Sequence, residues 1–241
     1  LCVTRAMAQW LEAEWGVRAR VLYDRPPSFF RELAVAERHA LLRRLAALFV
    51  DAAGAPLWPV EGAVGGSPWD AGGTPWTVVD GARPPSYRPA RPALLVSSTS
   101  WTADEDFGML LGALGSLDRR RAAEIGSEWA ACGPRVVAVI TGKGPLKEHY
   151  RGVMRDMAMR HVAVCTMWLE PADYPALLGA ADLGVSLNTS TSGLDLPMKV
   201  LDMFGCGVPV CAVGFGCLGE LVDDGANGRV FGSADELCAV V

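Results

Sequence analysis

Short apolar runs separated by helical stretches occupy residues 93–241, and this pattern constrains the fold more than any other feature of the chain. Each run is continuously apolar instead of alternating, which is typical of strands that are buried on both faces. Because helices separate the strands, we predict an α/β fold in which helices cover a parallel sheet. The predicted strands are residues 93–99, 135–141, 161–167, 183–187 and 208–213.

The helices between these strands indicate which loops carry function. They are predicted at residues 105–131, 145–159, 171–182 and 197–204, with a helical turn at 217–223. In open parallel sheets, ligands bind beyond the carboxyl ends of the strands. Functional residues are therefore expected in the loops at 98–106, 141–147, 168–174, 188–199 and 214–220.

The first 92 residues follow a different pattern. Helices are predicted over residues 2–17 and about 32–50, with a short strand at 19–24. Residues 54–92 are dense in Gly and Pro and have neither a helical nor a strand period, which predicts a loop or linker. Its tryptophans are expected to dock onto a neighbouring surface; they are Trp58, Trp69 and Trp76.

Charge and hydropathy limit the partners of the chain. The net charge of −5 and the pI near 5.3 argue against a surface that binds nucleic acid. No apolar run reaches the about 18 residues that a membrane span needs, and no signal peptide is present. Because the sequence begins at Leu1 within a helical pattern, we expect it to be a fragment.

The seven cysteines favour reduced thiols over a disulfide framework or a metal centre. Their number is odd and no CxxC pair occurs, which fits core thiols of a cytosol-facing protein. A zinc site built from Cys206, Cys211 and Cys217 would be poorly spaced, and the three histidines are scattered along the chain. We therefore predict no metal site.

The loop "TGKGPLK" (141–147) joins a predicted strand to a predicted helix. Backbone N–H groups at Gly142 and Gly144 can approach an anion at such a helix N-terminus, and Lys143 would add a positive charge. The same sequence is also explained by a plain strand-to-helix turn that binds no anion, with Pro145 as the first helical residue. The loop contains neither a dinucleotide fingerprint nor a Walker motif.

The loop "SSTSWTADEDF" (97–107) combines hydroxyl and carboxyl groups. Thr102 is predicted to cap the following helix, and at least one of Asp104, Glu105 and Asp106 is expected to stabilise its first turn. Paired carboxylates can also perform acid–base chemistry or bind sugar hydroxyls. Both interpretations remain open from the sequence.

The segment 188–202 places three charges around the start of a helix. Pro197 is predicted at the first helical position, and Lys199 and Asp202 are three residues apart on one face. One interpretation is an ion pair on a capped helix, worth about 0.2–0.5 kcal/mol. In the other, Lys199 binds a phosphate, Asp202 binds a vicinal diol and Asp195 lies nearby. Spacing alone favours neither.

Four segments carry a resemblance to a known family. They are "VTRAMAQWLEAEWGVRARVLYDRPPSFF", "SSTSWTADEDFGMLL", "VITGKGPLKEHY" and "SGLDLPMKVLDMFGCGVPV". Together they resemble the chitobiosyldiphosphodolichol β-mannosyltransferases. The resemblance implies the GT-B fold, in which two Rossmann-like domains face a cleft. Residues 93–241 would form the nucleotide-sugar-binding domain without its end, 54–92 the linker, and 1–53 the tail of the acceptor-side domain.

The resemblance also implies a reaction. Mannose would pass from GDP-mannose to dolichyl-diphosphate-linked chitobiose with inversion, forming a β-1,4 linkage for protein N-glycosylation. The donor is a substrate, and no cofactor is implied. The parent protein would work on the cytosolic face of the endoplasmic reticulum membrane, held by an anchor upstream of this chain, beside other early-pathway glycosyltransferases. The alternative is an inactive nucleotide-sugar-binding fragment or interaction module. An NAD-dependent oxidoreductase is set aside because the glycine fingerprint is absent.

Site residues follow from the same resemblance. Asp202 would bind the nucleotide ribose, and Asp195 would read mannose hydroxyls. Lys199 would neutralise the diphosphate together with the loop of Gly142, Lys143 and Gly144. Ser100 and Thr102 stand where related enzymes carry an Arg and a Lys, so they would contact phosphate through their hydroxyls alone. The catalytic base would lie upstream of this chain, with Asp104 and Glu105 as the candidates within it.

Overall fold

The computed structural model of the chain describes residues 1–125 and 133–241, so the predicted helical residues 126–131 and Cys132 lie outside the described part. The α-helices are α1 (Arg5–Trp15), α2 (Val35–Arg44), α3 (Phe107–Ile125), α4 (Lys147–Met157), α5 (Asp173–Ala180), α6 (Met198–Gly205) and α7 (Ala234–Val240). The strands are β1 (Thr77–Val78), β2 (Ser86–Tyr87), β3 (Ala93–Ser98), β4 (Val136–Thr141), β5 (Val162–Met167), β6 (Leu183–Ser186), β7 (Val210–Val213) and β8 (Gly228–Phe231). Short 3₁₀ helices lie at Ala46–Leu48, Asp70–Gly72 and Leu218–Glu220.

Six strands of the described chain form one parallel sheet in the order β5–β4–β3–β6–β7–β8. The chain moves outward from β3 to β5, crosses back to β6 beside β3, and then moves outward the other way. The topological switch point therefore lies between β3 and β6. This arrangement confirms the predicted parallel α/β domain.

Helices cover both faces of the sheet, as continuously apolar strands require. In β3, Leu94 and Val96 belong to one core cluster, which also contains residues of α2, α5 and α6. Leu95 belongs to a second cluster, with residues of α3, α4 and α7. Each of these three side chains is at most 1% exposed. Burying one such side chain contributes about 1.5–3 kcal/mol before entropy is counted.

The tryptophans of residues 54–92 close one end of the first cluster. Trp58, Trp69 and Trp76 are buried around Phe49, with ring centroids 6.3, 6.3 and 5.0 Å from the Phe49 ring. Apart from a 3₁₀ turn and the antiparallel pair β1–β2, this segment is irregular. Its predicted docking through tryptophan is confirmed.

The predicted strand at 19–24 does not form as a strand. Val21 makes one isolated parallel bridge with Cys2, through the hydrogen bonds Cys2 N to Arg20 O and Leu22 N to Cys2 O. A ladder needs several paired residues on neighbouring strands to be stable, and here only two short extended segments meet. The two bridged residues nevertheless lie on either side of α1, as strands do in a β–α–β connection.

Strand β8 and helix α7 were not predicted from the sequence. Strand β8 lies at the edge of the sheet, where only Phe231 of its four residues is buried, so it lacks a continuous apolar run. Helix α7 begins after Ser233, whose hydroxyl accepts a hydrogen bond from Glu236 N. Polar edge strands are common in native sheets because they discourage pairing with other chains.

Several predicted helix ends are also corrected. Pro145 lies two residues before α4, and Pro197 is the N-cap of α6 with extended backbone angles instead of its first helical residue. The predicted helix at 32–50 divides into α2 and the 3₁₀ turn at Ala46–Leu48. Among the described residues, no helix combines the length and apolar character needed to cross a membrane.

Candidate functional site

The loops that follow β3 and β6 meet at the carboxyl edge of the sheet, at its switch point. Glu105 in the first loop forms an isolated antiparallel bridge with Asn188 in the second. The loop after β4 lies against the first loop, since Thr99 N donates to Thr141 O at 2.9 Å and Leu146 N donates to Trp101 O at 3.0 Å. The edge expected to bind ligand is therefore one continuous surface.

Glu105 is the buried centre of this surface. Its side chain is 2% exposed, and its Oε1 pairs with the ammonium of Lys199. Its Oε2 accepts hydrogen bonds from the Thr99 hydroxyl and from Ser100 N, the latter at 2.9 Å. These bonds compensate the cost of burying the carboxylate. Such an environment suits an anchor for Lys199 better than a base that must exchange protons with a substrate.

Lys199 pairs with Glu105 and not with Asp202, so the ion pair within α6, one of the two interpretations that the spacing left open, does not form. The order of the sheet makes this pairing possible, because it places β3 beside β6 and so brings the loop after β3 close to α6. The Lys199 side chain is still 28% exposed. Its charge is therefore fixed in place and still accessible to solvent.

The cap of α3 is Asp106 and not Thr102. Asp106 Oδ1 accepts a hydrogen bond from Met109 N at 3.2 Å, which confirms that an acidic residue stabilises this helix start. Thr102 instead lies 3.1 Å from the Ser100 hydroxyl. A hydrogen bond from Thr102, together with a backbone bond and the nearby Lys199 charge, lowers the pKa of the exposed Asp104. Asp104 is thus an anion near Lys199.

Gly142 and Gly144 are required by backbone packing. A Cβ atom on Gly142 would lie 1.8 Å from Thr99 O, and one on Gly144 would lie 1.7 Å from Ser100 O. Gly142 also has a φ of +130°, in the region that favours glycine. These glycines therefore have a structural role whether or not the loop binds an anion.

An open cavity lies beside this glycine loop. Its volume is about 210 Å³, and it is lined by Ser98, Thr99, Thr141, Gly142, Trp168, Leu169 and Tyr174. The Trp168 side chain is 57% exposed, and the Lys143 ammonium lies 3.6 Å from the centre of its ring. An exposed indole at the carboxyl end of a strand is a ready surface for stacking a flat ligand.

Asp202 is a half-buried acceptor without a partner. Within residues 1–125 and 133–241 its carboxylate forms no hydrogen bond or ion pair, and burial raises its pKa. It lies near Tyr174, whose pKa is raised by burial and further by the Asp202 charge. The Ser98 hydroxyl donates to Tyr174 Oη at 3.0 Å. Asp202 is thus available to accept hydrogen bonds from a ligand.

Asp195 lies in the loop of residues 187–197, called here the β6–α6 loop. Its carboxylate accepts hydrogen bonds from the hydroxyls of Ser190 and Ser192, which lower its pKa in that order of effect. Its side chain is exposed. The loop is tied down at Leu194 O by the Thr4 hydroxyl and at Asp195 O by the Cys217 thiol, the latter at 3.4 Å.

The structure brings the predicted residues into three neighbouring groups. Lys199, Ser100, Thr102 and Asp104 lie around Glu105. The glycine loop borders the cavity, and Asp202 lies near Tyr174 in the cavity wall. Asp195 precedes α6. Sequence reasoning missed Trp168, Tyr174 and Glu220. They could have been identified because they lie in the loops at 168–174 and 214–220, which follow predicted strands. The described residues include no group of three or more His, Cys, Asp or Glu side chains that could hold a metal ion.

Comparison with known proteins gives three findings. A family model of the glycosyl transferases group 1 matches residues 110–241. The chain is 50% identical over 247 aligned positions to a protein of Arabidopsis thaliana named UDP-glycosyltransferase TURAN, covering 98% of this chain and 52% of that protein. It is 49% identical over 240 positions to the chitobiosyldiphosphodolichol β-mannosyltransferase of Mus musculus, covering 99% of this chain and 47% of that protein.

A solved structure has the same fold. The crystal structure of Anabaena HepE in complex with UDP-glucose superimposes with a TM-score of 0.62, at 17% identity, covering 99% of this chain and 51% of that one. This likeness supports the GT-B architecture expected from the sequence. The chain spans about half the length of the curated relatives that it matches.

Proposed function

The chain belongs to the group 1 glycosyltransferases, and from this premise we propose that the full-length protein transfers mannose from GDP-mannose to dolichyl-diphosphate-linked chitobiose. The observation that carries the proposal is the 49% identity to the mouse mannosyltransferase over 99% of this chain. The product is a β-1,4-linked mannose in the synthesis of lipid-linked oligosaccharide for N-glycosylation.

The donor lies across the three groups of the candidate site. Lys199, fixed by Glu105, binds the diphosphate together with Lys143 and the backbone of the glycine loop. The nucleobase occupies the cavity beside Trp168, and Asp202 accepts hydrogen bonds from the ribose hydroxyls. Support comes from the half-buried Asp202, which has no partner among the described residues, and from Trp168, which lines the cavity and is 57% exposed.

The chemical step is inversion at the anomeric carbon of mannose with GDP as the leaving group. Negative charge develops on the diphosphate as the glycosidic bond breaks. Lysines that are already in position stabilise that charge without reorganisation, which is commonly the largest catalytic contribution. Asp195 contacts the mannose hydroxyls, and the base that activates the acceptor lies outside this chain.

The domain assignment belongs to the same proposal. Residues 93–241 form the donor domain. The predicted boundary after residue 53 is revised, because α2 and the tryptophans of residues 54–92 share a core cluster with the sheet of that domain. The residues before α2 are assigned to the tail of the acceptor domain. The parallel bridge between Cys2 and Val21 on either side of α1 supports the last assignment, because a β–α–β connection is the repeating unit of a Rossmann-like domain. The parent protein works at the cytosolic face of the endoplasmic reticulum membrane, with the lipid-linked acceptor and neighbouring glycosyltransferases of the pathway as partners.

Two observations favour alternatives that the experiment must separate. The chain spans about half of its relatives, which favours a fragment that binds nucleotide sugar without turnover. The Arabidopsis relative is named a UDP-glycosyltransferase, which favours a uridine donor.

Calorimetry of this chain with GDP, GDP-mannose, UDP-GlcNAc and NADH tests the proposal. We expect GDP and GDP-mannose to bind and the other two to bind weakly or not at all. Lys199→Ala and Asp202→Ala should each weaken GDP binding, whereas Arg160→Ala, which removes an exposed cation near the opposite edge of the sheet, should not. Absence of GDP binding, or GDP binding unchanged in both site variants, rejects the proposed site.

A further inference from the structure

The Glu220 carboxylate caps a helix that lies 215 residues earlier in the chain. Its Oε2 accepts a hydrogen bond from Arg5 N at 2.7 Å, and its Oε1 accepts one from Ala6 N at 2.9 Å. The Tyr23 hydroxyl donates to Oε2 at 2.7 Å. The first N–H groups of a helix have no partner within the helix, and its dipole favours an anion there. The sheet domain thus satisfies the start of α1.

The electrostatics of Glu220 agree with this role. Its side chain is 12% exposed, and the Arg5 Nε lies 3.5 Å from Oε2. Burial alone would raise the pKa of Glu220, but the hydrogen bonds from Tyr23, Arg5 and Ala6 outweigh it and lower the pKa. The carboxylate is therefore held in its charged form against the helix start.

Thr4 makes the second connection. Its side chain is fully buried, and its hydroxyl donates to Leu194 O in the β6–α6 loop. The same oxygen accepts a hydrogen bond from Met7 N at 2.9 Å, as an N-cap does. One hydroxyl thus joins the start of α1 to the loop that precedes Lys199 and Asp202.

The β6–α6 loop has an exposed tip at Thr189, Thr191 and Ser192. Its carbonyls at Leu194 and Asp195 are held from two sides, by Thr4 and by Cys217, which lies three residues before Glu220. A loop that is already ordered loses less entropy when a ligand binds. Contacts that order this loop therefore affect affinity without touching the ligand.

We propose that Glu220 is a positioning residue: together with Thr4 it ties residues 1–15 to the β6–α6 loop and orders that loop for the sugar end of the donor. This inference rests on the proposed function, since it takes the donor to be a nucleoside-diphosphate sugar. Because coupling between two sites is reciprocal, donor binding in turn strengthens the connection between Glu220 and α1.

Calorimetry with GDP-mannose and amide hydrogen exchange of this chain test the inference. Glu220→Ala and Thr4→Val should each weaken GDP-mannose binding about 5-fold or more. In the wild type, saturation with GDP-mannose should slow exchange at the Arg5 and Ala6 amides by a similar factor. A purely structural cap would change exchange at α1 and leave the affinity unaltered.

Two variants serve as controls. Glu37→Ala removes a carboxylate that accepts a hydrogen bond from Ala34 N at the start of α2. Like Glu220→Ala it deletes a carboxylate at a helix start, but away from the β6–α6 loop, so it should leave GDP-mannose affinity unchanged. Thr4→Ser keeps the hydroxyl and should recover most of the affinity that Thr4→Val loses. Circular dichroism checks that each variant is folded. If Glu220→Ala does not fold, the positioning role is tested by the GDP-mannose affinity of Thr4→Val and by hydrogen exchange of the wild type with and without GDP-mannose.

The outcomes separate the two proposals. If the wild-type chain binds GDP-mannose, and folded Glu220→Ala and Thr4→Val bind it with affinities within twofold of the wild type, the positioning role is rejected and the proposed function stands. The positioning role is also rejected if saturation with GDP-mannose does not change the exchange rates of the Arg5 and Ala6 amides. If the wild type binds no GDP-mannose, both proposals fall together.

Discussion

At the scale of single residues, the site depends on a buried carboxylate whose partner lies 94 residues away. Lys199 sits on α6, while Glu105 lies in the loop after β3 and binds Thr99 and Ser100 as well. A sequence window around Lys199 contains Asp202 and not Glu105, so spacing could not identify the true partner of Lys199. Only the sheet order, which places β3 beside β6, brings the two charges together.

Replacing Glu105 by Gln should lower the free energy of unfolding by about 1–3 kcal/mol, because it removes the charge that pairs with Lys199 and disturbs the bonds to Thr99 and Ser100. Urea denaturation measures the change. Glu124→Gln removes an exposed partner of Arg121 and should change stability by less than about 0.5 kcal/mol. In the Lys199→Met background, Glu105→Gln should cost less than in the wild type; equal costs would contradict the pairing.

Substitution of Gly142 or Gly144 by Ala tests how closely the loops after β3 and β4 pack. Each added Cβ would meet a carbonyl oxygen at less than 2 Å, at 1.8 and 1.7 Å respectively. We expect each variant to lose about 2 kcal/mol or more, within the range for overpacked sites. Gly219→Ala, where nothing lies within 4 Å, is the control. Thermal unfolding without nucleotide separates this structural role from any role in binding.

At the scale of elements, the sequence predicted best those strands that are buried on both faces. Strands β3 to β7 are short, largely apolar runs between helical stretches, so the pattern of apolar residues identified them. Strand β8 was missed because Arg229 and Val230 are exposed at the sheet edge, and residues 19–24 were overpredicted because one bridge is all the pairing they find. Trp168 could not be assigned, because its exposure depends on how the loop after β5 turns.

The start of α3 is the element that connects fold and site most directly. Asp106 caps it through Met109 N, one residue after Glu105. Asp106→Ala should lower the free energy of unfolding by about 0.5–2 kcal/mol, as loss of a helix cap does. Asp104→Ala, two residues earlier and exposed, is the matched control and should have a smaller effect on stability. Chemical denaturation of the two variants measures the difference. An equal loss of unfolding free energy in both would show that Asp106 is not the cap of α3.

At the scale of the whole molecule, α1 has no buried residue of its own and depends on the sheet domain through its first turn. The connection runs through Thr4, Tyr23 and Glu220, at the same edge of the sheet as Lys199 and Asp202. Burial of α1 therefore contributes little to its attachment, and electrostatics contribute much of it. Such an attachment responds to conditions that leave the core intact.

The attachment of α1 should weaken as the solution becomes acidic. The pKa of Glu220 is lower in the folded chain than its ordinary value, so its charged form contributes stability that is present above the unfolded pKa and is lost as pH falls through the folded pKa. We expect the protection factors of the Arg5 and Ala6 amides, which correct for the intrinsic pH dependence of exchange, to fall over that window before those of β3 and β4. Glu220→Gln cannot titrate, so the protection factors of its α1 amides should already be low at neutral pH and should not fall further as the solution becomes acidic. A wild-type profile that parallels that of Glu220→Gln would mean that the charge of Glu220 does not hold the helix.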